Sequence, residues 1–293
     1  MLKQLTLAML TSTCLLAAPA IAQDDDTEHF LGGSFSANVA IATDYTFRGI
    51  SQNSGDPAVS GGVDWASDLF YVGTWASTVD FNDDITDPFT GEQISDGSQL
   101  ELDLYFGVTP TVGDVSLDFG AIFYVYPGAP QGEDDVFVPL LPTVEQADLA
   151  AALGLAPGDA LIDFNDQNYV ELHAAASYTV GLVDLGFNLT YSPDYYFETG
   201  NVLIPDVSVS FPLGQSVPFA GSDLSFAFSA NLGYLGFIDN DIPEGAGFGE
   251  NYFDLGAGVT ATWFGLDFDA RYIDTFGLAG NGSTGIFTIS KSF

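Results

Sequence analysis

SFSANVAIATDYTFRGI, residues Ser34 to Ile50, alternates in character at every step. Phe35, Ala37, Val39, Ile41, Thr43, Tyr45 and Phe47 share one parity; Ser36, Asn38, Ala40, Ala42, Asp44, Thr46 and Arg48 share the other. Successive side chains of a strand point to opposite faces, so the stretch predicts a strand with one apolar face and one small or polar face. It is long for a soluble strand, which usually has about 5–6 residues. Arg48, near its end, is one of only four lysines and arginines in the chain.

The same alternation recurs along the sequence. Working outward from the first stretch, strands are predicted near 59–66, 70–81, 99–108, 115–126, 168–178, 183–192, 202–211, 224–234, 252–261, 266–274 and 283–293, twelve in all. The third has large residues on both parities, with Tyr71, Trp75, Val79 and Phe81 against Phe70, Val72, Thr74 and Ala76, which a bulge would reconcile. Pro205 weakens the start of the eighth. Links 1–2, 3–4, 5–6, 7–8, 9–10 and 11–12 are longer and mostly acidic, whereas the intervening links are short, with 8–9 a mild exception. Short turns alternating with long loops are the pattern of transmembrane barrels, with the long loops outside the cell. A soluble sandwich has no reason to keep that alternation in phase. The longest link, 127–167, contains the only helix signal. Thr143 and Gln146 form a capping box, Leu149 and Leu153 share a face, and Gly154 is placed to end the helix.

The composition bounds the function. Lys3, the apolar Leu5 to Leu16 and Ala20-Ile21-Ala22 read as a signal peptide cleaved after Ala22. The apolar run is short for a membrane-spanning helix. Cys14, the sole cysteine, lies within it, with Thr11 where a lipoprotein signal has leucine. Residues 23–33 then form an acidic tail and 34–293 the strand-rich domain. After cleavage Arg48, Arg271 and Lys291 stand against 40 acids. That balance excludes nucleic acid, which needs clustered basic residues. Disorder is opposed by 47% hydrophobic and 14% aromatic content. The mature chain has no thiolate chemistry and no Cys-based metal site.

Bilayer energetics choose which parity faces lipid. A charged side chain on the lipid face at mid-depth costs about 2–4 kcal/mol for Arg or Lys. On the fourth, fifth, sixth, seventh, tenth and eleventh predicted strands the parity bearing charge is opposite that of Leu, Phe and Val. Asp44, Arg48, Asp64, Glu101, Asp103, Asp118, Glu171, His173, Asp184, Asp254, Asp267, Asp269 and Arg271 are therefore expected to line the lumen. On a twelve-strand ring Arg48 and Arg271 lie two strands apart. This predicts a weakly basic wall facing an acidic one near Glu171 and His173, in a lumen that attracts cations. Alternatively each arginine pairs with Asp44, Asp64, Asp267 or Asp269 and braces the wall. Phe293 shares the lipid parity of Phe287 and Ile289, and Lys291 on that parity can snorkel to the interface.

Tyr45-Thr46-Phe47-Arg48-Gly49-Ile50-Ser51-Gln52, Trp75-Ala76-Ser77 and the terminal Ser290-Lys291-Ser292-Phe293 carry a resemblance to the TorF-type porin family of proteobacteria. It is specific over Asp44 to Phe81. The loop around Thr143 departs from it. The resemblance implies an outer-membrane β-barrel with a pore and no catalytic residues.

Other chemistry is sparse. His173 faces inward with no nucleophile motif, so no enzyme and no cofactor are expected. The acidic runs at 80–96, 163–166 and 239–244 match no EF-hand loop, and solvated loops explain them more simply than Ca²⁺ sites. The expected partners are outer-membrane lipid, the cell's barrel-insertion machinery, and ions or small solutes. Two functions fit: a narrow pore for ions or small, mainly cationic, solutes, and a plugged barrel whose acidic external loops bind. In the second, segment 127–167 folds inward as the plug.

Overall fold

The alternating stretches pair edge to edge until no edge is left. The computed structural model describes residues 32–81, 84–86, 93–95, 97–129, 167–196, 199–238, 251–278 and 282–293. Twelve strands make the wall: β1 (Ser34–Ala42), β2 (Ala58–Ala66), β3 (Phe70–Thr78), β4 (Leu100–Val108), β5 (Val115–Val125), β6 (Tyr169–Val180), β7 (Val183–Ser192), β8 (Val202–Pro212), β9 (Ser222–Phe237), β10 (Tyr252–Trp263), β11 (Leu266–Phe276) and β12 (Thr284–Ser292). Each pairs antiparallel with its neighbours in sequence. The ring closes where β12 meets β1, in a register that sets Ala40 opposite Ser290. Phe293 and Ala37 exchange backbone hydrogen bonds of 2.8 and 3.2 Å across that seam. No α-helix occurs among the described residues. The helix expected after Thr143, the signal segment, the acidic tail and most of the acidic runs lie outside them.

The pleat sorts side chains as the bilayer requires. On β4, Leu104 is 47% and Phe106 53% exposed outside, while Asp103 and Tyr105 between them are 2% and 7% exposed inside. Every strand repeats the scheme. Phe35 and Ile41 on β1, Phe119 and Phe123 on β5, Leu185 and Phe187 on β7, and Phe287 and Ile289 on β12 all point outward and stay exposed. A protein in water would not leave such a belt uncovered; a barrel in lipid does. The structure is an all-β transmembrane antiparallel barrel.

The mixed third stretch needs no bulge. Phe70 and Val72 point out, while Tyr71 and Trp75 point in, where Trp75 is 4% exposed. Pro205 sits within β8 after all, opposite Leu189 of β7. The ladder to β9 resumes on either side of Ile204 and Pro205, consistent with the missing proline N–H. At the short-turn end, Phe264 and Gly265 join β10 to β11 with φ of 53° and 68°, the geometry whose twist matches a two-residue hairpin.

One expectation fails at the first stretch. β1 does not run to Ile50. It ends at Ala42, and the chain leaves the wall at the long-loop mouth. Tyr45 and Phe47, expected on the lipid face, pack inside instead.

Candidate functional site

The departing chain forms a second, very short hairpin. Thr46 pairs with Ser51 and Phe47 with Ile50. Arg48 and Gly49 make the turn, with φ of 48° and 81°. Both values lie in the left-handed region, as a two-residue turn of this type demands. Gly49 is required for a second reason: a Cβ there would sit 2.4 Å from Thr275 Cγ2 of β11. Arg48 holds a backbone shape disfavoured for a non-glycine residue, by about 1–3 kcal/mol. Its surroundings account for that.

The hairpin is anchored all round the inner wall. Tyr45 meets Trp75 of β3 edge-on at 5.4 Å between ring centres, and its hydroxyl donates to Glu101 of β4 at 2.6 Å. Phe47 lies against Tyr124 of β5. Ile50 packs on the opposite side, against Val202, Ile204, Leu235 and Tyr252 of β8, β9 and β10. Arg48 reaches β6, where its two terminal nitrogens donate to both Glu171 oxygens at 2.6 and 2.8 Å. A segment that touches β3 to β6 on one side and β8 to β11 on the other lies across the lumen as a bar.

Arg48 is 5% exposed. Besides Glu171 it donates to the Tyr195 hydroxyl at 3.2 Å. The guanidinium stands 4.3 Å from the Phe47 ring centre and 5.6 Å from that of Tyr195. Tyr124 adds a 3.2 Å hydrogen bond to Glu171. Burial disfavours the Arg48 charge, but Glu171, Tyr195 and Tyr124 together more than offset it and raise its pKa, so the guanidinium stays charged. Asp44, at the root of the hairpin, accepts a hydrogen bond from Ser51 at 2.9 Å; its pKa is raised, burial being the main cause.

This overturns the expected transverse field. Arg48 joins no basic wall with Arg271. It crosses to the acidic wall and neutralises part of it, and it selects Glu171 rather than the nearer aspartates. Arg271 contacts Asp269 at 3.3 Å and Ser229 at 2.7 Å, the local bracing considered as the alternative.

The other inward acids lie at several levels of the lumen. Tyr126 and Tyr45 both donate to Glu101. Asp64 accepts from Tyr105 at 2.6 Å. Asp118 accepts from Tyr71 at 3.0 Å, and His173 Nε2 lies 3.3 Å from the same oxygen. Thr262 serves Asp267, Thr260 serves Asp269, and Thr179 serves Asp184. Asp254 and Asp206 flank Asn231, whose amide is 3.4 and 3.5 Å from them. Asp103 is nearly fully buried, and its Oδ1 has no hydrogen-bond partner among the described residues. Replacing Tyr105 by phenylalanine removes the donor to Asp64 and is expected to cost about 1–3 kcal/mol, read as a lower urea midpoint in detergent.

Sequence reasoning passes over Asp206 and Asn231, the tyrosine donors and the bar itself. Asp206 was legible, since it opposes Val207 and Val209 in parity; the adjacent Pro205 obscured its strand. The bar was legible only as Arg48-Gly49, a pair that suits a tight turn as readily as a strand end.

A search of curated proteins by sequence finds no match. Solved structures of similar shape are distant. LpxR from Salmonella typhimurium is 10% identical, with a TM-score of 0.42 over 88% of this chain and 99% of LpxR. The NanC porin is 8% identical, with a TM-score of 0.44 over 88% and 98%. An outer membrane channel from Pseudomonas putida F1 is 10% identical, with a TM-score of 0.41 over 92% and 100%. The family model described as "Bacterial protein of unknown function (Gcw_chp)" matches residues 28–192, which hold β1 to β7, the Arg48 hairpin and Glu171. The chain is a member of that bacterial family.

Proposed function

We propose that the chain is a narrow outer-membrane pore for small cations, obstructed at its external mouth by the Arg48 hairpin. The observation that carries this reading is the segregation of charge. Carboxylates occupy the inner face of strand after strand, and apolar side chains occupy the outer face. A lumen whose inner face holds many acids and few bases concentrates cations and repels anions. The expected signal segment ending at Ala22, assembly by the barrel-insertion machinery and the TorF-type resemblance fit the same location and role.

The hairpin favours a second reading, in which the barrel is plugged and its acidic external loops bind a partner. Here the first loop supplies an obstruction; of segment 127–167, the plug expected from sequence, only the two ends lie among the described residues. Conduction distinguishes the two. In a planar bilayer under a salt gradient, the protein is expected to pass current with a reversal potential on the cation side. Clear anion selectivity contradicts the pore reading. So does the absence of current both in the native protein and in a variant lacking the Arg48 guanidinium.

A further inference from the structure

The surroundings of Arg48 form a receptor for its side chain. A carboxylate accepts both parallel N–H bonds, a hydroxyl accepts a further one, and ring faces lie within cation–π distance. Those features recognise a planar guanidinium better than a spherical ion, which cannot use the forked geometry. Only the hairpin ties this cation to the chain. Three of the recognising groups, Glu171, Tyr195 and Tyr124, belong to the opposite wall and its loop rather than to the hairpin. Asp254 and Asp206 lie within electrostatic range of Arg48 on the other side.

Resting on the pore reading, we propose that the Glu171 pocket is a recognition site for guanidinium-bearing solutes, with Arg48 as its built-in occupant. A soluble guanidinium that takes the pocket competes with Arg48 and releases the bar. The exchanged state keeps the Glu171 carboxylate paired, whereas an empty pocket leaves it without its cation, which is costly at low dielectric. The substrate class is thereby narrowed from small cations in general to planar organic cations carrying a fork of N–H donors.

The test uses Arg48→Gly, because glycine suits the left-handed turn and the change clears the whole Arg48 side chain, guanidinium included, from the pocket. Its single-channel current is measured with potassium chloride alone and after adding millimolar guanidinium chloride or, as control, methylammonium chloride. Guanidinium is expected to block the enlarged current at a concentration about tenfold or more below that of methylammonium. The preference is expected to vanish in Arg48→Gly/Glu171→Gln. Enlarged current with no preference for guanidinium overturns the recognition site and leaves the pore reading standing; no current in any variant overturns the pore reading itself. Should Arg48→Gly fail to fold, Arg48→Lys retains a cation at the turn, and the same blocking series is run on it. Selective thermal stabilisation of the variant by guanidinium, absent in the native protein, gives a readout independent of conductance, and equal stabilisation by both salts counts against the site.

Discussion

Arg48→Gly is expected to raise single-channel conductance several-fold over the native barrel. Arg48 joins the bar to Glu171 through two charged hydrogen bonds of 2.6 and 2.8 Å. Removing one partner of a buried ion pair costs about 3–5 kcal/mol when the other stays dry. Glu171 need not stay dry, since it faces a lumen and water can enter the vacated space. The cost therefore appears mainly as hydration and loosening of the bar rather than as unfolding of the wall, which is held by a closed ladder. Tyr45, Phe47 and Ile50 still anchor the hairpin, so the opening is partial. Arg48→Lys should fall between, because an ammonium is a point charge that cannot make the forked contact.

The second large effect separates the two faces of β4 at adjacent residues. Leu104 lies midway along the strand and points outward, so Leu104→Arg places a charge in lipid near mid-depth. That change is expected to cost about 2–4 kcal/mol, seen as a lower denaturant midpoint and poor insertion into vesicles. Asp103→Asn replaces a carboxyl by an amide on the inner face, where Oδ1 lacks a partner among the described residues and Glu101 shares the face. It is expected to leave stability unchanged or slightly raised, while weakening cation selectivity. A barrel of reversed sense, with a dry core and wet exterior, gives the opposite order.

Most of the wall was legible in the sequence because strand alternation is a local signal with period two, and lipid and water enforce it on every strand. The inward placement of Asp64, Glu101, Asp103 and Asp118 follows from parity, and the twelve strands and their closure from parity together with the alternation of short and long links. What parity does not encode is where a chain stops being wall. From Thr43 to Arg48 the alternation continues unbroken, yet the chain has left the sheet and turned inward. Tyr45 and Phe47 are apolar enough for lipid and suit an aromatic-lined lumen equally well. The partner of Arg48 lies 123 residues away, so no local spacing announces it. Trp75 and Tyr71 mislead for the same reason: in a lumen crossed by a hairpin, large aromatic side chains belong inside.

On the proposed reading Arg48 and Glu171 act together to bar the pore. The direct measurement is a double-mutant cycle on single-channel conductance, with Arg48→Gly, Glu171→Gln and the two combined. Coupled residues give strong non-additivity. Each single change is expected to raise conductance, and the combined variant to conduct no more than Arg48→Gly alone. Independent, multiplying effects, or native conductance in all three variants, would contradict it.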